Sequence, residues 1–324
     1  MVESISKTPV SRHVAESIVS DAFGPEASLV EFDECTEGWF NAAHRLTLAD
    51  GRRFVLKVAP PPDVAVLTYE HDIMATEVAA MRLVHERTSV PVPTVVWSDT
   101  SCRRLPSPLF VMTCCDGTLL SELRRTLSPD QQRHVDAQLA RFLRAMHSIT
   151  HPTFGLQAPT APTFDRWSEA FHRLVDDLLA DGERAGVALP VHPDRLRTLV
   201  RDHSDVLDEV AIASFVHWDL WDPNVFIDPV TLDVVGVIDF ERALWGDPLM
   251  EGQFFGKTAE SPFLDDYGIP ALATPEARQR RLLYDMYLFL VMTIESTYRH
   301  YPTDDIERMG RRQLDVTLGS LGLD

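Results

Sequence analysis

The stretch FVHWDLWDPN, residues 215–224, is the part of this sequence that is most informative about its fold. It fits the pattern H-x-D-x-x-x-x-N, with His217, Asp219 and Asn224 at the fixed positions. In such a loop a carboxylate can orient a hydroxyl and take its proton, while an amide oxygen five residues later reaches a magnesium ion on a phosphate. The alternative is a polar turn in which the three side chains cap one another. The chain has only one other asparagine, Asn41, which argues against a chance match.

An apolar segment that ends in acidic residues follows this loop. Val234 to Phe240 reads as a strand, and Asp239 lies fifteen residues after Asn224, which leaves room for one hairpin. Asp239 occupies the place of the aspartate in a D-F-G triplet, although here the triplet reads Asp-Phe-Glu. Magnesium takes carboxylate and phosphate oxygens as ligands. We therefore expect Asn224 and Asp239 to bind Mg²⁺; a solvent-facing carboxylate at the strand end is the alternative for Asp239.

A lysine and a glutamate upstream complete the pattern. Two strand-like runs, Ala42 to Leu48 and Arg53 to Val58, flank an Asp-Gly pair, which indicates a hairpin. Lys57 on the second run is expected to bind the α- and β-phosphates of a nucleotide and to pair with a helix glutamate. Glu77 is the first candidate for that glutamate and Glu70 the second. An ordinary surface lysine and a solvated glutamate are the alternative.

The segment before the hairpin takes the position of a phosphate-covering loop. It reads Glu37-Gly38-Trp39-Phe40-Asn41-Ala42 and contains a single glycine. Gly38 and Asn41 are its candidate nucleotide-contacting residues. Its place in the chain, rather than a glycine-rich composition, carries this prediction.

These motifs resemble those of the aminoglycoside phosphotransferase family, within the wider group that includes choline kinase-like enzymes. The resemblance runs from about residue 30 to residue 300. It implies an α+β, bilobal, protein-kinase-like fold with a small β-rich N-lobe and a larger, mainly helical C-lobe. The expected divisions are residues 1–112 for the nucleotide-binding lobe, 113–117 for a hinge and 118–324 for the lobe with the catalytic loop and acceptor site.

The same resemblance implies roles for individual residues. Asp219 is the expected catalytic aspartate, and Asn224 and Asp239 the Mg²⁺ ligands. Backbone groups of Thr113 and Cys115 in the hinge are expected to bind the adenine of ATP. The chain keeps the family's Gly-Asp-Pro at residues 246–248. It departs from the family in carrying Trp218 where glycine is usual, and Glu251 near the place of a helical aspartate.

Helices are predicted mainly in the second half of the chain. Ser128-Pro129-Asp130-Gln131 is typical of a helix start, with an N-cap, a first-turn proline and a glutamine three residues after the cap. The remaining predicted helices share an apolar stripe at helical spacing or a helix-favouring composition. They are residues 11–23, about 70–87, two or three segments between 164 and 207, and about 275–299.

Composition narrows the possible partners. The chain has 324 residues and a net charge of −19, so nucleic acid is not expected as a partner. It contains no membrane-length apolar run, and we expect no membrane partner. The four cysteines form neither a disulfide framework nor a zinc pattern, which favours reduced thiols in a cytoplasmic protein.

The chain is therefore predicted to be a transferase that uses ATP and Mg²⁺ to phosphorylate a hydroxyl of a small molecule. The acidic net charge would suit a cationic small molecule. The first interpretation is an antibiotic kinase, acting on an aminoglycoside or other hydroxylated natural product and conferring resistance. The second is a kinase of a primary metabolite such as choline, a sugar or an amino-acid alcohol. The third is an inactive nucleotide-binding module.

The candidate acceptor-binding residues are aromatic or acidic side chains of the predicted C-lobe. The acidic ones would suit amines, and the tryptophans a ring or a cation. Of the tryptophans, Trp221 and Trp245 are expected to lie in the core. The candidates are Trp218, Trp221, Asp222, Trp245, Asp265, Asp266 and Glu295.

Overall fold

The computed structural model describes residues 7–35, 40–299, 301 and 303–323. The chain folds as the predicted α+β architecture, with a small lobe built on an antiparallel sheet (the N-lobe) followed by a larger, mainly helical lobe (the C-lobe). Among the described residues, no helix has both the length and the apolar character needed to cross a membrane.

The N-lobe contains one five-stranded antiparallel sheet and two helices. The sheet has the order β1-β2-β3-β5-β4. Its strands are β1 (Leu29–Cys35), β2 (Ala42–Leu48), β3 (Arg53–Val58), β4 (Val95–Asp99) and β5 (Leu109–Thr113). The helices are α1 (Arg12–Phe23) and α2 (Ile73–Arg87).

The sheet is covered on both faces. On β5, Leu109 and Val111 pack into a small core with α1, while Phe110 and Met112 pack into the main core with α2. Successive side chains of a strand point to opposite faces, so one apolar strand can serve two cores. The central strands β3 and β5 are therefore held rigidly between α1 and α2.

The C-lobe contains eight helices and seven short strands among the described residues. The helices are α3 (Leu120–Leu123), α4 (Pro129–His147), α5 (Trp167–Arg184), α6 (Pro193–Asp202), α7 (Ser204–Leu207), α8 (Pro262–Tyr267), α9 (Pro275–Arg299) and α10 (Asp305–Ser320). The strands are β6 (Thr118–Leu119), β7 (Thr150–His151), β8 (Gly155–Leu156), β9 (Ala213–Val216), β10 (Val225–Ile227), β11 (Val234–Val237) and β12 (Leu244–Gly246). They form two sheets, β11-β10-β6 and β7-β9-β12-β8.

Several predicted elements have the bounds that the sequence indicates. Strands β2 and β3 and helix α9 match, and α1 begins directly after its N-cap Ser11. Ser128 and Gln131 form the predicted capping box, each side chain bonding the other residue's backbone N–H at the start of α4. Strong local signals therefore fixed these boundaries.

Two boundaries differ because a residue adopts left-handed backbone geometry. Helix α2 begins at Ile73 rather than Glu70, since Asp72 has a φ of 60° and interrupts the helix. Glu70 lies in a 3₁₀ turn just before it. Strand β11 ends at Val237 rather than Phe240, since Asp239 has a φ of 69°. Non-glycine residues rarely take this conformation, and sequence patterns do not reveal it.

The two lobes are joined next to α2. Thr68 donates its backbone N–H and its hydroxyl to the Asp181 carboxylate on α5, at 2.7 and 2.6 Å. Glu70 forms a buried ion pair with Arg299 at the end of α9. These bonds fix the segment that leads into α2 against the C-lobe.

Gln138 on α4 fastens the β10–β11 hairpin. Its amide donates to the Leu232 carbonyl at 2.9 Å and its oxygen accepts from the Val234 N–H at 2.9 Å. The side chain is buried, so no solvent replaces these partners if they are lost. The hairpin that separates Asn224 from Asp239 is thereby held against α4.

We expect Gln138→Leu to lower the free energy of unfolding by about 2–4 kcal/mol, because it strands a buried donor and a buried acceptor. Chemical denaturation followed by circular dichroism measures the change. His134→Leu, an exposed position on the same helix, should shift stability by less than about 0.5 kcal/mol. Equal effects of the two substitutions would show that the Gln138 bonds do not stabilise the hairpin.

Candidate active site

The loop of residues 217–224 connects β9 to β10 and carries Asp219 and Asn224. His217 fixes its path, because Nδ1 accepts from the Asp219 N–H at 3.2 Å and Nε2 donates to the Ile238 carbonyl at 3.1 Å. These partners require a neutral ring protonated on Nε2, and burial lowers the pKa of His217 in agreement. His217 thus links the loop to the residue before Asp239.

Asn224 orients the Asp219 carboxylate. Its amide nitrogen donates to the Asp219 side chain at 3.1 Å and to the Asp219 carbonyl at 2.9 Å. Its Oδ1 has no hydrogen-bond partner among the described residues, which leaves that oxygen available to a ligand. Burial raises the pKa of Asp219 to about 7, and the nearby Arg242 guanidinium opposes this rise.

Lys57 on β3 contacts three carboxylates. Its Nζ lies 2.7 Å from Glu77, 2.5 Å from Asp239 and 3.0 Å from Glu241. The structure therefore pairs Lys57 with Glu77, as the sequence predicts, whereas Glu70 is engaged elsewhere. Burial would lower the pKa of Lys57, but the three carboxylates together raise it well above its ordinary value. Burial also raises the pKa of Glu77 to about 8, against the opposing effect of Lys57.

Three acidic side chains crowd around one cation, and burial together with their mutual repulsion raises the pKa of both Glu77 and Glu241. Oxygens of Glu77, Asp239 and Glu241 all lie within 4.8 Å of one another. The backbone carbonyl of Asn224 accepts from the Ile238 N–H at 3.0 Å, which places Asn224 next to the residue that precedes Asp239. A cluster of carboxyl and amide oxygens fits Mg²⁺, which prefers oxygen ligands and would favour the ionised form of these acids when bound. Sequence reasoning did not single out Glu241 as a ligand; its signal was the glutamate in place of glycine in the Asp-Phe-Glu triplet.

The predicted phosphate-covering loop is described only from Phe40 onward, and Gly38 lies outside the described residues. The Asn41 amide donates to Glu241 at 2.5 Å, while its Oδ1 is buried without a partner among the described residues. The Arg299 guanidinium lies 3.6 Å from the centre of the Phe40 ring. The end of this loop therefore contacts the C-lobe through both residues.

The predicted hinge lies between β5 and β6. Thr113 is bonded to Thr94, through its N–H at 3.0 Å and its hydroxyl at 2.9 Å. Cys115 packs against Gly236 on β11, where a Cβ would lie 2.5 Å from the cysteine sulfur. Burial raises the pKa of Cys115 to about 12, so its side chain is a neutral thiol. Adenine binding by the backbone of Thr113 and Cys115 stays a prediction.

Trp218 adopts left-handed backbone geometry, with a φ of 64°. Its ring is buried, stacks on Tyr287 at a centroid distance of 5.3 Å and meets Tyr69 edge-on at 5.6 Å. The Arg242 guanidinium lies 5.6 Å from the Trp218 ring and 5.5 Å from the Tyr69 ring. These ring contacts hold a bulky residue in a conformation that favours glycine.

Glu251 holds the backbone of the same loop. Its carboxylate accepts from the N–H groups of His217 at 2.7 Å and Trp218 at 3.0 Å, and it is fully buried. Arg281 on α9 donates to the Glu251 carbonyl at 2.8 Å. Glu251 therefore fastens the strained residue beside Asp219.

The predicted acidic acceptor residues are mostly paired with arginines. Asp265 is exposed on α8. The other three form ion pairs: Asp222 with Arg124 at 2.8 Å, Asp266 with Arg141 at 3.7 Å, and Glu295 with Arg242 at 3.0 Å and with Arg299 at 3.0 Å. Their contacts within the protein neutralise much of the charge expected to attract amines.

The two tryptophans expected in the core behave differently. Trp245 is buried on β12 and stacks on His151 at 4.7 Å, as expected. Trp221 is 54% exposed, and its prediction as a core residue is wrong. Its neighbours Leu220 and Asn224 take the buried positions of the loop instead.

The strain at Trp218 leads to a prediction. Trp218→Ala and Trp218→Gly lose the same ring contacts, but only glycine relieves the left-handed geometry. We expect the glycine variant to be the more stable by about 1 kcal/mol in denaturant unfolding. The same two substitutions at Trp245, on a regular strand, should rank in the opposite order. Alanine at least as stable as glycine at position 218 would contradict the backbone assignment.

Comparison with known proteins identifies the family and the fold of this chain. The chain matches a model of the phosphotransferase enzyme family APH over residues 31–281. It is also 23% identical over 260 residues to acyl-CoA dehydrogenase family member 10 of Mus musculus. That alignment covers 76% of this chain but only 22% of the mouse protein, so the chain spans about a fifth of the length of this relative.

Solved structures share the fold at low sequence identity. A candidate fructosamine-3-kinase from Thermobifida fusca has a TM-score of 0.65 at 20% identity, over 94% of this chain and 98% of that one. A thermostable mutant of aminoglycoside phosphotransferase APH(4)-Ia, in complex with AMP-PNP and hygromycin B, has a TM-score of 0.61 at 19% identity, with coverage of 94% and 98%. APH(2″)-IIa in complex with gentamicin has a TM-score of 0.63 at 16% identity, with coverage of 98% and 99%.

The family match covers most of the chain and includes Lys57, Glu77, the loop of residues 217–224 and the Asp-Phe-Glu triplet. The kinase-like neighbours have the same two-lobed fold. The chain therefore belongs to the phosphotransferase enzyme family APH.

Proposed function

We propose that this phosphotransferase moves the γ-phosphate of ATP to a hydroxyl of a small acceptor, with Mg²⁺ as cofactor. The observation that carries the proposal is the contact of Lys57 with Asp239, which joins the nucleotide side of the cleft to the loop of Asp219 and Asn224. One cleft thereby contains a lysine for phosphates, a carboxylate for the acceptor and oxygen ligands for a metal.

The acceptor hydroxyl would lie against the Asp219 carboxylate. Its oxygen attacks the γ-phosphorus as the bond to the ADP oxygen breaks, and its proton passes to Asp219 late in the transfer. Lys57 would hold the α- and β-phosphates, and Glu77 keeps its ammonium in place. Asn224, Asp239 and Glu241 would hold Mg²⁺, which neutralises phosphate charge when bound. The protein contributes chiefly by positioning these groups.

The acceptor class has two candidates. One is a hydroxylated natural product such as an antibiotic, which would make the chain a resistance enzyme; the APH(4)-Ia complex contains hygromycin B. The other is a metabolite, and a candidate fructosamine-3-kinase shares the fold. The paired state of Asp222, Asp266 and Glu295 speaks against a polycationic aminoglycoside. The complete set of Lys57 and the residues of the loop argues against an inactive binding module.

The kinase proposal is tested with γ-labelled ATP, Mg²⁺ and a panel of hydroxylated aminoglycosides, other antibiotics, sugars, choline and hydroxy acids. We expect label on one acceptor class, and a loss of about a hundredfold to ten-thousandfold in kcat for Asp219→Asn. Asp233→Asn, an exposed position on the β10–β11 hairpin, should keep full activity. No magnesium-dependent binding of ATP and no transfer would refute the proposal.

The assignment of Glu241 leads to a separate prediction. Glu241→Gln should raise the Mg²⁺ concentration for half-maximal binding to the AMP-PNP complex by about tenfold to a hundredfold, because one anionic oxygen is lost from the cluster. Isothermal titration calorimetry measures this directly. Glu31→Gln on the exposed side of β1 serves as the control. An unchanged Mg²⁺ requirement would mean that Glu241 serves only as a partner of Lys57.

A further inference from the structure

Most of the acidic residues that the sequence assigns to the acceptor site are paired with arginines. Of the four acidic residues that the sequence assigns to it, only Asp265 lacks an arginine partner among the described residues. Asp222 accepts two hydrogen bonds from Arg124, at 2.8 and 2.9 Å, and Glu295 is shared by two arginines. A carboxylate already bonded to a guanidinium attracts an incoming amine weakly, because the pair is close to neutral.

The Arg242 guanidinium has hydrogen-bond donors that lack a partner among the described residues. Arg242 follows the Asp-Phe-Glu triplet directly. Burial raises the pKa of Asp219, and the charge of Arg242 is the strongest influence that opposes this rise. Only Nη2 is hydrogen-bonded, to the two oxygens of Glu295 at 3.0 and 3.1 Å. Nε is buried without a partner, and Nη1 has none among the described residues. Guanidinium donors match carboxylate oxygens in geometry, and leaving them unpaired costs free energy.

The surroundings hold this guanidinium in a fixed position. It lies between the rings of Tyr69 and Trp218, at 5.5 and 5.6 Å. The Tyr69 hydroxyl is a second buried donor group without a partner among the described residues. The Arg242 side chain keeps 14% of its surface exposed, so the guanidinium is not fully sealed from solvent.

Exposed aromatic rings lie on the other side of the loop. Gln253 donates to the Leu220 carbonyl at 2.9 Å, so the turn around Gln253 lies against the loop. Trp221 and Phe255, each within two residues of this bond, are 54% and 45% exposed. Large exposed aromatic side chains next to a cleft suit the apolar part of a ligand.

We propose that the acceptor is a hydroxy acid with an apolar chain or ring. Arg242 binds the carboxylate of this acceptor, and Asp219 contacts the acceptor hydroxyl. This inference rests on the proposed kinase function and names its substrate class. Acidic residues that are already paired with arginines attract an amine weakly. The hydrogen-bond donors of Arg242 and Tyr69 that lack a partner favour an anionic oxygen group.

The test compares matched acceptors on protein loaded with Mg²⁺ and AMP-PNP. The probes are a homologous series of ω-hydroxyalkanoates, with the amide and the amine of each chain length, and binding is followed by tryptophan fluorescence. We expect the best carboxylate to bind at least about tenfold more tightly than its amide, with the amine weakest, which corresponds to one charge-assisted hydrogen bond. A series in which no carboxylate binds more tightly than its amide, or in which the amine binds best, would overturn the proposal.

Variants of two arginines locate the effect. Arg242→Gln should abolish the preference for carboxylate over amide, and Arg242→Lys, which keeps the charge and the fold, should retain part of it. Arg104→Gln removes an exposed guanidinium that pairs with Asp21 in the N-lobe and should leave the preference unchanged. A preference that survives Arg242→Gln in a folded protein would overturn the assignment of Arg242.

The γ-phosphate of ATP is the other source of an anionic oxygen near Arg242. If Arg242→Gln weakened AMP-PNP binding but not ADP binding, and left the carboxylate preference intact, the guanidinium would serve the nucleotide and the acceptor proposal would fall. Binding of AMP-PNP that needs Mg²⁺ is measured first. Its absence would count against the kinase function itself, whereas normal nucleotide binding without carboxylate preference would count only against the acceptor class.

Discussion

The structure depends on the buried ammonium of Lys57. It stands between strand β3, helix α2 through Glu77, and the turn after β11 through Asp239 and Glu241. A buried carboxylate without a cation is costly, and three in one place are tolerable only around a positive charge. Lys57 therefore holds the parts of the cleft together and gathers acidic oxygens of the kind that suit a divalent cation. Removing it would disturb the geometry and the charge balance at once.

A second constraint acts on the loop of Asp219. Its path requires Trp218 in left-handed geometry, which the Glu251 carboxylate and the rings of Tyr69 and Tyr287 maintain. Backbone strain of this kind persists only where the surroundings determine it strongly. Because Tyr69 comes from the N-lobe side and Tyr287 from α9, the loop is held by both lobes. A glycine at position 218 would reach the same backbone conformation without ring contacts. In this chain the residue before Asp219 instead carries a bulky aromatic side chain.

Much of this could be predicted from local sequence patterns. The hairpin around Asp50-Gly51, the capping box at Ser128 and the apolar stripe of α9 each depend on neighbours in the chain, and their bounds match. The Lys57–Glu77 pair followed from motif spacing. Strands β1 and β4 and helix α10 were not predicted, since β1 alternates weakly and β4 gains its place from pairing with β5. Arg124, Arg141 and Arg242 lie far in sequence from their partners Asp222, Asp266 and Glu295, and no local pattern indicates these pairs. The second partner of Glu295, Arg299, lies at helical i,i+4 spacing.

The net charge of −19 acts at a longer range than any of these contacts. The proposed ligands, a nucleotide and a hydroxy acid, are both anions, so the field of the protein should slow their approach instead of steering them into the cleft. Screening by salt weakens that repulsion over distances of about 10 Å, and complexation of ATP by Mg²⁺ reduces it further. Encounter rates should therefore rise with ionic strength, the reverse of what an electrostatically guided enzyme shows. Recognition in this protein is left to short-range donors inside the cleft.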